Sequence, residues 1–221
     1  MAEKNRPAWQ EAARVFDQRA AEYDKWYDDS LLFAIELAAL KDLQTPLGGP
    51  RVEVGCGPGR FAAELDVILG IDPAWTPLTL AAPRLAGVCQ GVAEHLPLRP
   101  EAIGTLFVLF TLCFVEDPLQ VVRQAAKVLR PGGHLVLGLV PGEGPWGRAL
   151  AAKGRAGHPF YRHASFYEVV QVEQWLAAAG FRLVEQRSSL YQGPDELHGF
   201  EPSRSGRSRG AGFVVLVARK G

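Results

Sequence analysis

Asparagine and methionine each occur once in the 221 residues, as Asn5 and Met1, and cysteine three times, as Cys56, Cys89 and Cys113. An odd cysteine count with no CxxC pair, and no histidine nearby at metal-ligand spacing, suggests neither a disulfide framework nor a zinc site. All three read as small buried hydrophobes. Net charge is missing as well, because 24 basic residues balance 24 acidic ones. The chain therefore lacks the broad positive field that non-specific binding to nucleic acid or a membrane surface requires. That favours a small-molecule or local-peptide partner, with no nucleic acid and no membrane expected. No stretch approaches the roughly twenty apolar residues of a membrane span. The opening residues MAEKNRPAWQ carry charges where a signal peptide has its apolar core, so a cytoplasmic location is the expectation. Scarce Asn and Met beside abundant Ala, Leu, Arg and Pro suits a protein selected against heat-labile side chains, a bias that genomic base composition also produces.

With 48% hydrophobic and 22% charged residues, the chain can bury one substantial core, and a single domain over 1–221 is expected. Helical patterns over residues 8–27 and 30–43 come first, the second with Phe33, Leu37, Leu40 and Leu43 at helical spacing. Short strand-like runs follow at 51–54, 67–71, 106–110 and 135–140, with helical stretches between them. The helix at 118–129 has Pro118 in its first turn and Arg130-Pro131-Gly132-Gly133 as its stop. A helix over 169–179 ended by Gly180, a strand at 181–185 and a last strand at 213–218 complete the pattern. Strands alternating with helices imply an α/β fold, a mostly parallel sheet covered on both faces. Ligands of such sheets bind at the C-terminal strand edge, where the connections 141–166 and 188–211 should emerge as lids or binding loops.

The chemistry-bearing motif is Glu53-Val54-Gly55-Cys56-Gly57-Pro58-Gly59, between the first strand and a helix. Glycines there allow a sharp turn and a close backbone approach to a ligand, although a tight strand-to-helix turn alone gives the same pattern. Asp72 ends the next strand, 13 positions beyond Gly59. A carboxylate at that place can accept both hydroxyls of a ribose, or cap the helix after Pro73. A dinucleotide dehydrogenase would carry GxGxxG, whereas position 60 is Arg, and the chain has too little length for the second domain many such enzymes carry.

These residues resemble the class I S-adenosylmethionine-dependent methyltransferases, particularly the small-molecule type related to ubiquinone and menaquinone methylation. The resemblance spans nearly the whole chain: Phe16-Asp17 and Ala20 with Tyr23-Asp24-Lys25-Trp26, the glycine loop, Gly70-Ile71-Asp72-Pro73, and residues 91–98. It continues through residues 114–118, Leu129-Arg130-Pro131-Gly132-Gly133 and Ala179-Gly180-Phe181. It implies a doubly wound, Rossmann-like, seven-stranded mostly parallel sheet with an antiparallel last strand and added N-terminal helices. Residues 1–45 would form a helical lid, 50–140 the cofactor-binding core, and 141–221 the substrate-side loops and C-terminal strands.

By the same resemblance, the loop with Gly55, Cys56, Gly57 and Gly59 holds the methionine part of S-adenosylmethionine, with Glu53 near its ammonium group. Asp72, followed by Pro73, takes the ribose, Ala93 and Glu94 meet the adenine, and Phe110 and Thr111 line the methionine side. Tyr23, Trp26 and Tyr27 resemble an aromatic lid. Val92 and Gly104 depart from the pattern, since many relatives carry acidic residues at both places. The short helix after the glycine loop departs as well.

Methyl transfer is an in-line displacement at a carbon already activated by the sulfonium, so a side-chain base is not obligatory. If the acceptor must lose a proton, His158, Tyr161 and His163 are candidates. His95 is expected beside the adenine, Trp146 and Trp175 in packing, and Arg204, Arg207 and Arg209 in a solvated loop that could alternatively meet an anionic acceptor. Three other functions compete. Protein or nucleic-acid methylation is disfavoured by the balanced charge and by Phe110-Thr111-Leu112-Cys113 standing where an Asn/Asp-Pro-Pro-Tyr segment would be. A cofactor-binding sensor or partner subunit without turnover, and a nicotinamide-dependent oxidoreductase, are the remaining two.

Overall fold

A computed structural model describes residues 8–221; the charged N-terminal segment 1–7 lies outside the described residues. Residues 8–27, expected as one helix, break at Arg19, whose backbone (φ −124°, ψ 23°) leaves the helical region. The pieces are α1 (Ala8–Gln18), α2 (Ala20–Asp24) and a 3-10 turn over Lys25–Tyr27. Helix α3 (Leu31–Lys41) starts where Ser30 caps it, the Ser30 hydroxyl accepting from the Phe33 N–H at 3.2 Å.

The central part alternates as expected: β1 (Arg51–Val54), α4 (Arg60–Glu64), β2 (Leu69–Asp72), α5 (Trp75–Ala81), β3 (Gly87–Gln90), β4 (Ile103–Leu109), α6 (Pro118–Val128) and β5 (Leu129–Leu139). Asp117 caps α6 through the Gln120 N–H at 3.0 Å, with Pro118 in its first turn. Strand β5 begins six residues earlier than its apolar run. Arg130-Pro131-Gly132-Gly133 ends the helix but also belongs to this strand, with an irregularity against β4 and Gly132 at φ +75°. Helix α7 (Pro145–Arg155) occupies half of what was expected as loop, and α8 (Val169–Ala178), β6 (Phe181–Ser189), β7 (Arg204–Ser205) and β8 (Phe213–Lys220) follow.

The strand order is β3-β2-β1-β4-β5-β8-β6-β7. Strands β1 to β5 are mutually parallel, and β8 runs antiparallel to both β5 and β6. The sheet is the expected seven-stranded one with a two-residue edge strand, β7, added beside β6. Alternation along the strands divides the core. Leu106, Val108, Leu135, Leu137 and Leu216 pack under α6 and α8. Phe107, Leu109, Val136, Val215 and Val217 pack under α3 and α4. All are essentially inaccessible, so truncating one to alanine should cost about 2–5 kcal/mol.

Gly104, one of the two departures from the family pattern, has a packing reason. A Cβ there would collide with the carbonyl oxygens of Gly48 and Gly49, which cross the start of β4, and the Thr105 hydroxyl donates to the Gly48 oxygen at 2.7 Å. Among the described residues no helix is long and apolar enough to cross a membrane.

Candidate active site

The order in which strands are added reverses between the parallel neighbours β1 and β4, so the connections leaving their C-terminal ends diverge and leave a crevice. The glycine loop forms one wall, with Gly55, Gly57 and Gly59 at φ +73°, +50° and +77°. A side chain at position 55 would strike Thr111, on the opposite wall. The Thr111 hydroxyl lies 2.9 Å from the Leu109 oxygen and 3.2 Å from the Val54 oxygen, bridging the ends of β4 and β1.

Asp72 closes the floor. Its Oδ2 accepts from the Gly57 N–H and its Oδ1 from the Ala74 N–H, both at 2.8 Å. Each oxygen keeps a lone pair for a ligand hydroxyl. Burial raises the carboxyl from 3.8 to about 6, against the opposing pull of those two N–H groups. The sequence offered a ribose acceptor and a cap for the helix after Pro73 as alternatives; α5 has Ala74 at its cap position and no side-chain cap, so the Asp72 bond to the Ala74 N–H is a turn contact that leaves each oxygen capacity for a ligand hydroxyl.

Two adjoining cavities open at this edge. The smaller, about 80 Å³, is lined by Tyr23, Gly55, Gly57, Asp72, Pro73, Ala93, Glu94, Phe110 and Thr111, together with Trp9, Val92 and Pro77. It therefore gathers most of the residues named from the sequence for the cofactor. Four are not in its wall. Cys56 turns into a small cluster with Leu78 and Ala81, and Gly59 lets the loop approach Ala81 closely. Trp26 faces the second cavity. Glu53 is on the α3/α4 side of β1, 2% exposed, its Oε2 without a hydrogen-bond partner among the described residues and its carboxyl pushed well up by burial. Glu94 is buried and accepts from the Glu116 N–H at 2.8 Å, tying the adenine-side segment to the loop after β4. His95, expected beside the adenine, is exposed and outside the cleft wall. Val92 puts an apolar side chain in that wall, at the position where the family resemblance leads one to expect a carboxylate.

The larger cavity, about 160 Å³, lies beyond Phe110 and shares Phe16, Tyr23, Phe110 and Phe114 with the smaller one. Phe110 holds φ +56°, uncommon for a bulky residue, and its ring stacks on Phe213 at 5.0 Å. Tyr23, Trp26 and Tyr27, the residues expected as an aromatic lid, line this cavity. The Tyr27 hydroxyl donates to Tyr23 at 2.6 Å, and Trp26 meets Phe160 at 4.8 Å. Trp146 is buried here, its indole N–H donating to the Gln192 oxygen at 2.8 Å, whereas Trp175 is outside the cavity wall and packs on Tyr167, which lines it.

Of the three base candidates only Tyr161 lines this cavity, its hydroxyl pushed up to about 12 by burial. His158 stacks on Tyr161 at 4.6 Å, with Nδ1 unpartnered among the described residues. His163 accepts from Arg162 at 2.9 Å outside the cavity wall. The three arginines of the last connection stand apart from both cavities. Arg204 lies over the Tyr191 ring at 4.0 Å and belongs to β7, so this segment is paired with the sheet edge rather than a free loop.

Two features escaped the sequence reading. Arg60, the residue that spoils GxGxxG, reaches Asp24 at 2.6 and 2.9 Å and Asp28 at 2.9 Å; Arg84 joins Asp24 at 3.1 Å, so the lid is latched to the glycine loop. The other is Glu36, a carboxylate in the wall of the larger cavity. Its signal was present as the lone acidic residue inside the apolar run of α3.

The methyltransferase domain family matches residues 52–137. The chain is 39% identical over 211 residues to an uncharacterised protein of Mycobacterium tuberculosis, covering 94% of this chain and 74% of that one. It is 30% identical over 207 residues to an uncharacterised protein of Methanocaldococcus jannaschii, covering 93% and 98%. A solved structure from Thermotoga maritima, described as an S-adenosylmethionine-dependent methyltransferase and possible histamine N-methyltransferase, superposes with a TM-score of 0.87 at 31% identity, covering 95% of this chain and all of that one. The chain belongs to the S-adenosylmethionine-dependent methyltransferases, and its cofactor is S-adenosylmethionine.

The residues present fit that cofactor. A buried carboxylate oxygen lacks a partner where an ammonium group is expected, a ribose-type acid closes the cleft floor, and the loop tolerates no side chain at Gly55.

Proposed function

We propose that this enzyme methylates a small molecule held in the larger cavity, with the cofactor lying along the smaller one. The observation that carries the reading is the shared wall of Phe16, Tyr23, Phe110 and Phe114: two cavities meet there, one polar at its floor and the other lined largely by aromatic and aliphatic side chains. In this reading, the chain is one methyltransferase domain, with the described helices before residue 45 as its lid.

Asp72 takes the ribose hydroxyls and Glu53 takes the charge of the amino-acid end. Gly55, Gly57 and Thr111 set how closely the backbone approaches, and Ala93, Glu94 and Val92 bound the base. The cofactor supplies a methyl group already activated by a positive sulfur. The chain's own work is alignment and exclusion of water, for which the Asp24–Arg60 latch and the ring contacts of Trp26 and Phe160 hold the lid down. Tyr161 is the side chain of the three candidates placed to touch an acceptor.

The balanced charge and the small volume of the apolar larger cavity, about 160 Å³, favour a small acceptor over nucleic acid. The Thermotoga maritima relative's description as a possible histamine N-methyltransferase agrees with an acceptor of this size. The test is transfer from isotopically labelled S-adenosylmethionine to a small-molecule library and, separately, to bulk transfer RNA and protein. Label entering the library alone supports the reading; label entering only a macromolecule overturns it.

A further inference from the structure

Glu36 stands in the middle of Leu31–Lys41, a helix otherwise apolar until its last residue. It is 7% exposed and lines the larger cavity, where it is the sole residue of formal charge in the wall among the described residues. Among the described residues no hydrogen bond or ion pair satisfies it, although buried carboxyls nearly always have a partner. Helix α3 could have buried a leucine there at less cost. The groups that face it are the hydroxyl-bearing rings of Tyr23, Tyr27 and Tyr161, from α2, the 3-10 turn after it and the 161 turn; among the described residues no lysine or arginine lines the cavity.

We propose that the larger cavity is an amine site: Glu36 binds the ammonium form of a primary or secondary amine, the acceptor of the methyl group, with the aromatic walls around it. This rests on the small-molecule reading above and narrows it. Ring faces attract cations, and Tyr23, Trp26, Tyr27, Phe33 and Tyr161 surround the space into which Glu36 projects. An anionic acceptor is disfavoured by the same carboxyl, because among the described residues no positive side chain in the wall offsets it.

The same residue answers the chemical difficulty of an ammonium acceptor, which has no free electron pair. Burial pushes the Glu36 carboxyl well above its usual range, so its carboxylate is an unusually strong base. A proton passes from the ammonium to the Glu36 carboxylate, giving a carboxylic acid and a neutral amine with its lone pair exposed. The methylated product leaves as an ammonium ion, and Glu36 returns its proton to solvent. One proton is released per methyl group transferred.

The test titrates the protein, saturated with S-adenosylhomocysteine, with three matched pairs: phenethylamine and 2-phenylethanol, hexylamine and hexanol, piperidine and tetrahydropyran. At least one amine is expected to bind tenfold or more tightly than its neutral partner. In Glu36→Gln that preference should disappear while affinity for S-adenosylhomocysteine stays within about twofold. Retained cofactor affinity also shows that the variant is folded. The proposal is overturned if no amine is preferred, if the preference survives Glu36→Gln, or if Glu36→Gln weakens S-adenosylhomocysteine binding, which would assign the carboxyl to the cofactor. Methylation of a neutral hydroxyl or carbon acceptor, with no amine preferred, would leave the small-molecule reading standing and overturn this one alone.

Discussion

Asp72 Oδ2 accepts the Gly57 N–H at 2.8 Å, so the carboxylate that ends β2 also fixes the shape of the glycine loop after β1. Shape and ligand recognition are therefore joined at one side chain, and its protonation should be felt in both. In the unliganded fold burial raises Asp72 from 3.8 to about 6, so the stability this group contributes is full at low pH and is lost as pH rises through about 6.

Ligand binding has the opposite sign. Ribose hydroxyls donate more strongly to the carboxylate, which accepts at both oxygens, than to the acid, which keeps one carbonyl acceptor, so affinity for S-adenosylhomocysteine should fall as pH drops below about 6, by up to about tenfold per pH unit. Glu53 and other groups titrating in the site add to the slope, and Asp72→Asn should flatten its share. Calorimetry between pH 5 and 8 checks this; an unchanged affinity across that range would remove Asp72 from ribose recognition.

Glu53 should change its protonation when the cofactor binds. Its buried carboxyl, with Oε2 unpartnered among the described residues, favours the neutral form, and an ammonium group beside it favours the ion. Binding of S-adenosylhomocysteine near pH 7 should then release up to one proton, seen as a dependence of the heat on buffer ionisation enthalpy. Glu53→Gln should abolish that release and weaken binding at least tenfold.

Gly55→Ala joins a backbone at φ +73° to a side chain that strikes Thr111. The left-handed conformation alone costs about 1–2 kcal/mol. Overpacking adds about 1–3 kcal/mol. For a chain of this size each kcal/mol lowers Tm by about 2–4 °C. A melting curve should show the fall, and S-adenosylhomocysteine should no longer protect the variant against heat.

The latch should govern exchange more than stability. Asp24, held below the usual carboxylate range mainly by its bonds to Arg60, is still partly exposed, so its ion pairs are worth at most about 1 kcal/mol. Asp24→Asn should leave Tm nearly unchanged and speed dissociation of S-adenosylhomocysteine severalfold in stopped flow. An unchanged rate would mean the lid does not gate the cleft.

Local chemistry was legible in the sequence and long-range geometry was not. Gly55 and Asp72 declare themselves through spacing along two adjacent strands, and Asp117-Pro118 announces its helix by the cap it needs. By contrast β3, Gly-Val-Cys-Gln, is too short and too mixed to give a period, and α7 opens on Gly144-Pro145 but has two glycines within it. Glu36 and Arg60 carried no motif. Their roles arise only when α3 closes over the sheet and when residues 36 positions apart, Asp24 and Arg60, meet across the lid.

Cofactor binding through the β2 carboxylate is the central claim. Its most direct test is calorimetric titration of the full chain with S-adenosylhomocysteine, repeated on Asp72→Ala and Asp72→Asn. Saturable binding by the unaltered protein, weakened at least tenfold in Asp72→Ala and less in Asp72→Asn, which keeps one acceptor oxygen, is the expected result. No binding by the folded protein, or equal binding by all three, would contradict it.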